Sequence, residues 1–120
     1  MRRFWIVIGS IFGLTAVGMA AVAAHRLSSM DPAPMHMVQS AIQMQGWHAL
    51  ALLATGIWAP RGGWLADAAG TAFAAGVLLF CGAVYAVALF GLSLGPLAPI
   101  GGTTLMIGWA LLGVSALRAR

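Results

Sequence analysis

The chain has 120 residues, enough for one domain. Only 7% are charged and 62% are hydrophobic, with a mean hydropathy of +0.97, whereas a soluble domain carries about 25% charge. A water-soluble globule is therefore excluded, and the lipid bilayer is the expected surrounding. The net charge of +4 comes with six arginines and no lysine; they sit at the ends of apolar runs and form no basic stripe, so nucleic acid is not an expected partner. One cysteine, Cys81, permits no internal disulfide.

The first apolar run, 4–24, is uncharged and would span roughly 31 Å as a helix, matching a hydrocarbon core. Arg2 and Arg3 ahead of it and Ala21-Val22-Ala23 near its end resemble a signal peptide. The run is longer than the roughly 7–15 apolar residues of such a signal, so a retained helix is expected. Gly9 and Gly13 form a small-xxx-small pair, continued by Ala16, Ala20 and Ala24, which predicts close contact with another helix.

Asp31-Pro32 reads as an N-cap followed by proline at the first helical position. A helix is expected to start at Pro32, to carry Met35, His36, Gln39 and Ser40 at the outer interface, and to continue into the second run, 38–58. The third run is 65–90 and the fourth is 97–117, separated by a short uncharged loop from Gly91 to Gly95. Pro96 and Pro99 suit the start of the last helix. Strict alternation is absent, which excludes a closed barrel. The expected fold is an all-α membrane protein covering 1–120 as one domain. It is an antiparallel four-transmembrane-helix bundle with a short outer-interface helical extension before the second span.

With four spans, Arg2, Arg3, Arg61, Arg118 and Arg120 share one side and Arg26 alone takes the other. The positive-inside rule then puts both termini in the cytoplasm. Trp5, Trp58, Trp64 and Phe90 lie near helix ends, as interfacial aromatics do. Gly9, Gly13, Gly82, Gly101 and Gly102 are the glycines expected at helix contacts, with Gly70, Gly76, Gly108 and Gly113 as further notches.

His48 falls near the middle of the second run, where ionisable residues face a bundle interior or a wet cavity. At about 100° per residue, Ser40, Gln45, His48 and Thr55 share one arc, bordered by Ala41, Ala51 and Gly56 and opposed by Leu50, Leu53 and Ile57. In the third run Asp67, Thr71, Cys81, Gly82 and Tyr85 form a comparable arc, with Phe73, Phe80 and Val84 opposite. Antiparallel packing would bring Gln45, His48, Cys81 and Tyr85 to one level, with Gln45 or Tyr85 as the expected partner of His48. His25, His36 and Met35 raise a Cu(I) reading on ligand type, but methionine spacing here suits apolar packing. No catalytic constellation or cofactor motif is present in the sequence, so no enzyme activity and no cofactor are expected.

Several segments resemble a known family. Ala24-His25-Arg26-Leu27 is similar to its Ala-His-x-Leu, and Gln45-Gly46-Trp47-His48-Ala49-Leu50-Ala51-Leu52 to its Gln-x-x-His-Ala-Leu-Ala-Leu. Leu79-Phe80-Cys81-Gly82-Ala83-Val84-Tyr85 resembles Leu-Phe-Ser-Gly-Ser-x-Tyr, and Pro99-Ile100-Gly101-Gly102 with Gly108-Trp109 resembles Pro-x-Gly-Gly and Gly-Trp. The family is the domain of unknown function 423, related to eukaryotic transmembrane protein 256. The resemblance implies a bacterial inner-membrane protein of four helices without an assigned activity. Gln43-Met44 replaces the family's Arg-Tyr, and Cys81 and Ala83 replace two serines. Roles resting on that charge or those hydroxyls do not carry over.

The expected function is that of a non-enzymatic structural or accessory membrane protein, with another membrane protein or a second copy as partner. The alternative is a small-solute or proton-linked transporter using the His/Gln/Tyr cluster. The two differ in whether a wet path reaches His48.

Overall fold

The computed structural model describes residues 2–119, and its regular structure is helical: α1 (Arg2–His25), α2 (Pro32–Phe90) and α3 (Leu97–Arg118). All three are long and apolar enough to cross a membrane. Three helices stand where four were expected, because the second and third expected spans belong to one element. The expected loop between them stays helical through Pro60, and the backbone leaves helical geometry only at Gly63 (φ 64°, ψ −148°). That conformation is reserved for a residue without a Cβ, and one such residue suffices to turn the chain.

The turn is sharp. A straight helix of 59 residues would reach about 88 Å, whereas the whole molecule measures 52 × 27 × 17 Å. Cys81 Sγ donates to the Ala41 carbonyl at 3.4 Å and the Tyr85 hydroxyl donates to Gln45 Oε1 at 2.9 Å. The arm after Gly63 therefore lies back along the arm before it. Both α1 and α3 pack on α2, and among the described residues they do not pack on each other.

Element ends follow their local chemistry. Pro32 opens α2 as expected, although the Asp31 side chain makes no capping bond; Asp31 contributes its carbonyl, which accepts from the Met35 amide at 3.1 Å. Gly91 closes α2 in the left-handed conformation (φ 67°), with its amide and that of Leu92 bonded to the Val87 and Ala86 carbonyls. Pro96 flanks the start of α3 and Pro99 lies in its first turn.

The core joins Trp5 of α1, Ala41, Ala51 and Leu52 before Gly63, Phe73, Val77 and Cys81 after it, and Leu105 of α3. Leu14, Val17, Leu50, Ile57, Leu78, Met106 and Leu117 point outward, giving an apolar exterior. Trp64 and Phe90 are exposed as interfacial aromatics would be. Trp5 is not: it is 2% exposed and its indole donates to Asp67 Oδ1 at 2.8 Å. A carboxylate within reach of an apolar helix end draws the indole N–H inward. Phe73 also departs from its expected outward face. It is fully buried, while Thr71 and Gly82, assigned inward, are exposed.

Helix contact depends on particular glycines. A Cβ at Gly9 would stand 2.9 Å from the Ala49 carbonyl oxygen, and one at Gly56 would stand 2.7 Å from Ile6 Cγ1 and 2.9 Å from the Arg2 carbonyl. These two positions seat α1 on α2. Gly101 against the Phe80 backbone, Gly76 against Leu105 and Gly108 against the Phe73 ring seat α3. Gly70 accommodates the Trp5 indole. Gly13 makes a looser contact: its Cβ position meets Ala49 Cβ of α2 at 3.8 Å, an ordinary van der Waals distance, whereas Gly9 sits against the Ala49 backbone. Gly82 and Gly113 have no neighbour within 4 Å, and Gly102 makes only an ordinary 3.8 Å contact with Phe80. Gly82 follows buried Cys81 by one residue, about 100° around the helix, and so faces outward.

One end of the molecule gathers Arg2, Arg3, Arg61 and Arg118, since Gly56 lies against the Arg2 carbonyl and Arg61 and Arg118 border one cleft. Arg26 follows α1 at the far end. Arg120, the sixth arginine, lies outside the described residues.

The glycine contacts generate a contrast between two residues one turn apart. Gly9→Ala should lower stability in detergent by about 1–3 kcal/mol, as overpacking does, while Gly13→Ala should leave it within about 0.5 kcal/mol. Thermal or denaturant unfolding measures both, and equal effects would refute this packing of α1.

Candidate functional site

Polar side chains inside an apolar bundle need partners from the protein itself, because lipid supplies none. Gln45, 6% exposed on α2, is the hub of one group. Its amide nitrogen donates to the Phe12 carbonyl at 3.0 Å and to Thr15 Oγ1 at 2.6 Å, and its oxygen accepts from Tyr85 at 2.9 Å. Thr15 in turn donates into its own helix at the Ile11 and Phe12 carbonyls. One amide thus ties α1 and both arms of α2 together. Cys81 lies beside this group as a buried free thiol, bonded to the Ala41 carbonyl rather than to Gln45.

His48 belongs to a second group, apart from Gln45 and Tyr85. Its Nδ1 is 2.6 Å from the Met44 carbonyl, and the Trp109 indole N–H donates to Nε2 at 3.0 Å. A carbonyl only accepts, so Nδ1 carries the proton and Nε2 supplies a lone pair. The imidazole is neutral, in one tautomer, with both nitrogens engaged. Phe73 and Trp109 enclose the ring, with centroids 5.7 Å from it in each case and 5.0 Å from each other. The expected pairing with Gln45 or Tyr85 is corrected: Gln45 bonds α1 and the second arm of α2, whereas His48 bonds Trp109 of α3, the two side chains lying about 60° apart around the helix and so aimed at different neighbours.

Trp109 was missed as a partner, and the signal was available: an indole N–H in an apolar span requires an acceptor. Thr15, a hydroxyl in the middle of α1, was missed for want of the helix pairing. Two further bonds fasten the arginine-rich end, Trp5 to Asp67 and Trp58 Nε1 to Ser115 Oγ at 2.9 Å. Among the described residues no buried side-chain nitrogen or oxygen lacks a partner.

No three His, Cys, Asp or Glu side chains converge among the described residues. His25 and His36 are exposed on either side of the first loop, while Met35 lines a cleft of about 500 Å³ with Gln39 and Gln43 and without either histidine.

Comparison with known proteins fits this architecture. Residues 19–102 match the family described as a protein of unknown function, DUF423. A UPF0382 inner membrane protein of Escherichia coli K12, YgdD, is 33% identical, with 98% of this chain and 92% of that protein covered. The UPF0382 membrane protein YwdK of Bacillus subtilis is 32% identical over 97% of this chain and 98% of its own length. A UPF0382 membrane protein of Haemophilus influenzae is 28% identical over the whole chain. No solved structure matches. Matched through most of its length by the family and almost end to end by these bacterial relatives, the chain belongs to the DUF423 family of membrane proteins of unknown function.

Proposed function

We propose that the chain is a non-catalytic structural or accessory protein of the bacterial inner membrane, working with another membrane protein or a second copy. It crosses the bilayer four times, once each by α1 and α3 and twice by the two arms of α2. Both termini and the Gly63 turn are cytoplasmic. The observation that supports this reading best is the saturation of the polar interior: every buried side-chain nitrogen and oxygen among the described residues already has a partner. Groups held in this way fix helix register and pairing. A carrier using His48 gains no support from an imidazole whose two nitrogens are both occupied. The orientation rests on the arginines: Arg2, Arg3, Arg61 and Arg118 at one end against Arg26 at the other.

Topology is tested by impermeant thiol labelling of intact cells in a Cys81→Ala background. His36→Cys and Leu94→Cys should react from outside and Arg61→Cys only after permeabilisation. Labelling at position 61 from outside would reverse the orientation.

The structural role is tested by ranking variants. Gln45→Leu unpairs Tyr85 and removes both bonds to α1, whereas Tyr85→Phe removes one donor, so Gln45→Leu should be the more damaging. A single interhelical bond is worth about 0.6–2 kcal/mol in a membrane, so the two variants should differ by about 1 kcal/mol or more. His48→Gln should be better tolerated than His48→Leu, since only glutamine can still accept from Trp109. Unchanged stability for all four together with loss of a pH-dependent flux would overturn the structural reading.

A further inference from the structure

The arginine-rich end contains a feature that the positive-inside rule alone does not require. Arg61, Gly62 and Gly63 at the turn of α2 and Ser115 and Arg118 in the last turn of α3 line one cleft of about 220 Å³. Two guanidinium-bearing residues from separate helices thus border one concave space. We propose that this cleft binds a phosphate group, such as that of an anionic phospholipid headgroup, between Arg61 and Arg118.

The surrounding contacts orient Arg61 and fix the turn that carries Arg118. The Arg61 guanidinium carbon lies 5.7 Å from the centre of the Trp58 ring, a cation–π contact. The same indole donates to Ser115 Oγ at 2.9 Å, and Ser115 donates to the Leu112 carbonyl. Trp58 therefore orients Arg61 with its ring face while its N–H fixes the α3 turn that carries Arg118. Gly62 is what lets the indole lie there: a Cβ at that position would stand 2.5 Å from Trp58 Nε1. Arginine suits the ligand, since its planar fork matches phosphate oxygens.

Placement and charge agree. Trp64, 72% exposed, also lines the cleft and has the amphipathic character of a headgroup-level residue. Asp67, the nearest carboxylate in sequence, is engaged by Trp5. Basic pockets between spans on the cytoplasmic side are suited to anionic headgroups. The level of the cleft rests on the proposed topology; its anion chemistry does not.

The experiment uses the full chain purified in neutral detergent, which makes it independent of the number or direction of crossings. Phosphatidylglycerol, phosphatidylcholine and inorganic phosphate are titrated separately, with lipid adducts read by native mass spectrometry and stabilisation by thermal unfolding. Phosphatidylglycerol should bind and stabilise more than phosphatidylcholine. The pair Arg61→Gln and Arg118→Gln should weaken it about tenfold, whereas Arg2→Gln with Arg3→Gln, equal in charge and at the same end, should weaken it less than about threefold. If the first pair fails to fold, Arg118→Gln alone carries the comparison, with a loss of about threefold or more expected. Protection by inorganic phosphate equal to that by phosphatidylglycerol would support the site and identify free phosphate as its occupant. Equal losses from both arginine pairs, or no preference for phosphatidylglycerol together with no effect of phosphate, would overturn it.

Discussion

The fold depends on reversing a 59-residue apolar helix at one glycine. Without the turn at Gly63 the element would be nearly three times as long as a hydrocarbon core is thick, about 88 Å against about 30 Å. With it, the two arms lie side by side and present a surface on which α1 and α3 both pack. The Cys81–Ala41 and Tyr85–Gln45 bonds exist only because the chain doubles back. Every later feature, from the close seat of α1 at Gly9 to the arginine cleft, is arranged around this hairpin.

Packing and polarity divide the labour along the hairpin. Gly9 and Gly56 let α1 approach the backbone of α2, and Gly101 does the same for α3 against Phe80. Close approach of this kind provides dispersion contacts where lipid removes the hydrophobic drive between helices. Polar bonds then select the register. Gln45 locks α1 to both arms of α2, and His48 with Trp109 locks the first arm to α3. Trp5–Asp67 and Trp58–Ser115 fasten the end that holds most of the arginines.

Much of this was legible in the sequence because hydropathy, helix stops and rotation per residue are local properties. The starts at Pro32 and near Pro96 and the inward arc of Gln45, His48 and Thr55 follow from them. The continuity of α2 through Pro60 was not legible: a Pro-Arg-Gly-Gly stretch reads as a loop, and only the tertiary fold limits the break to Gly63. Partner choice was equally hidden. Rotation places His48 inward without saying that it faces α3, so although the Trp109 indole needs an acceptor, nothing local assigned it His48 rather than leaving His48 to Tyr85. Gly82 failed as a contact point and Gly13 touches Ala49 only at ordinary distance, because a small-residue pattern marks where helices can meet, not how closely they approach. Trp5 was misplaced because its acceptor, Asp67, is 62 residues away.

The central claim is that the polar interior is closed and structural, and its most sensitive reporter is the His48 ring. Solid-state nitrogen NMR of the labelled protein in lipid bilayers resolves both ring nitrogens and their exchange with water. The account predicts one neutral, Nδ1-protonated tautomer, with Nε2 accepting from Trp109 and no exchange of the ring proton with water, unchanged across roughly pH 5–8, the range in which a solvated histidine titrates. A mixture of tautomers, an imidazolium signal within that range, or rapid exchange with water would contradict it and place the histidine on a hydrated path.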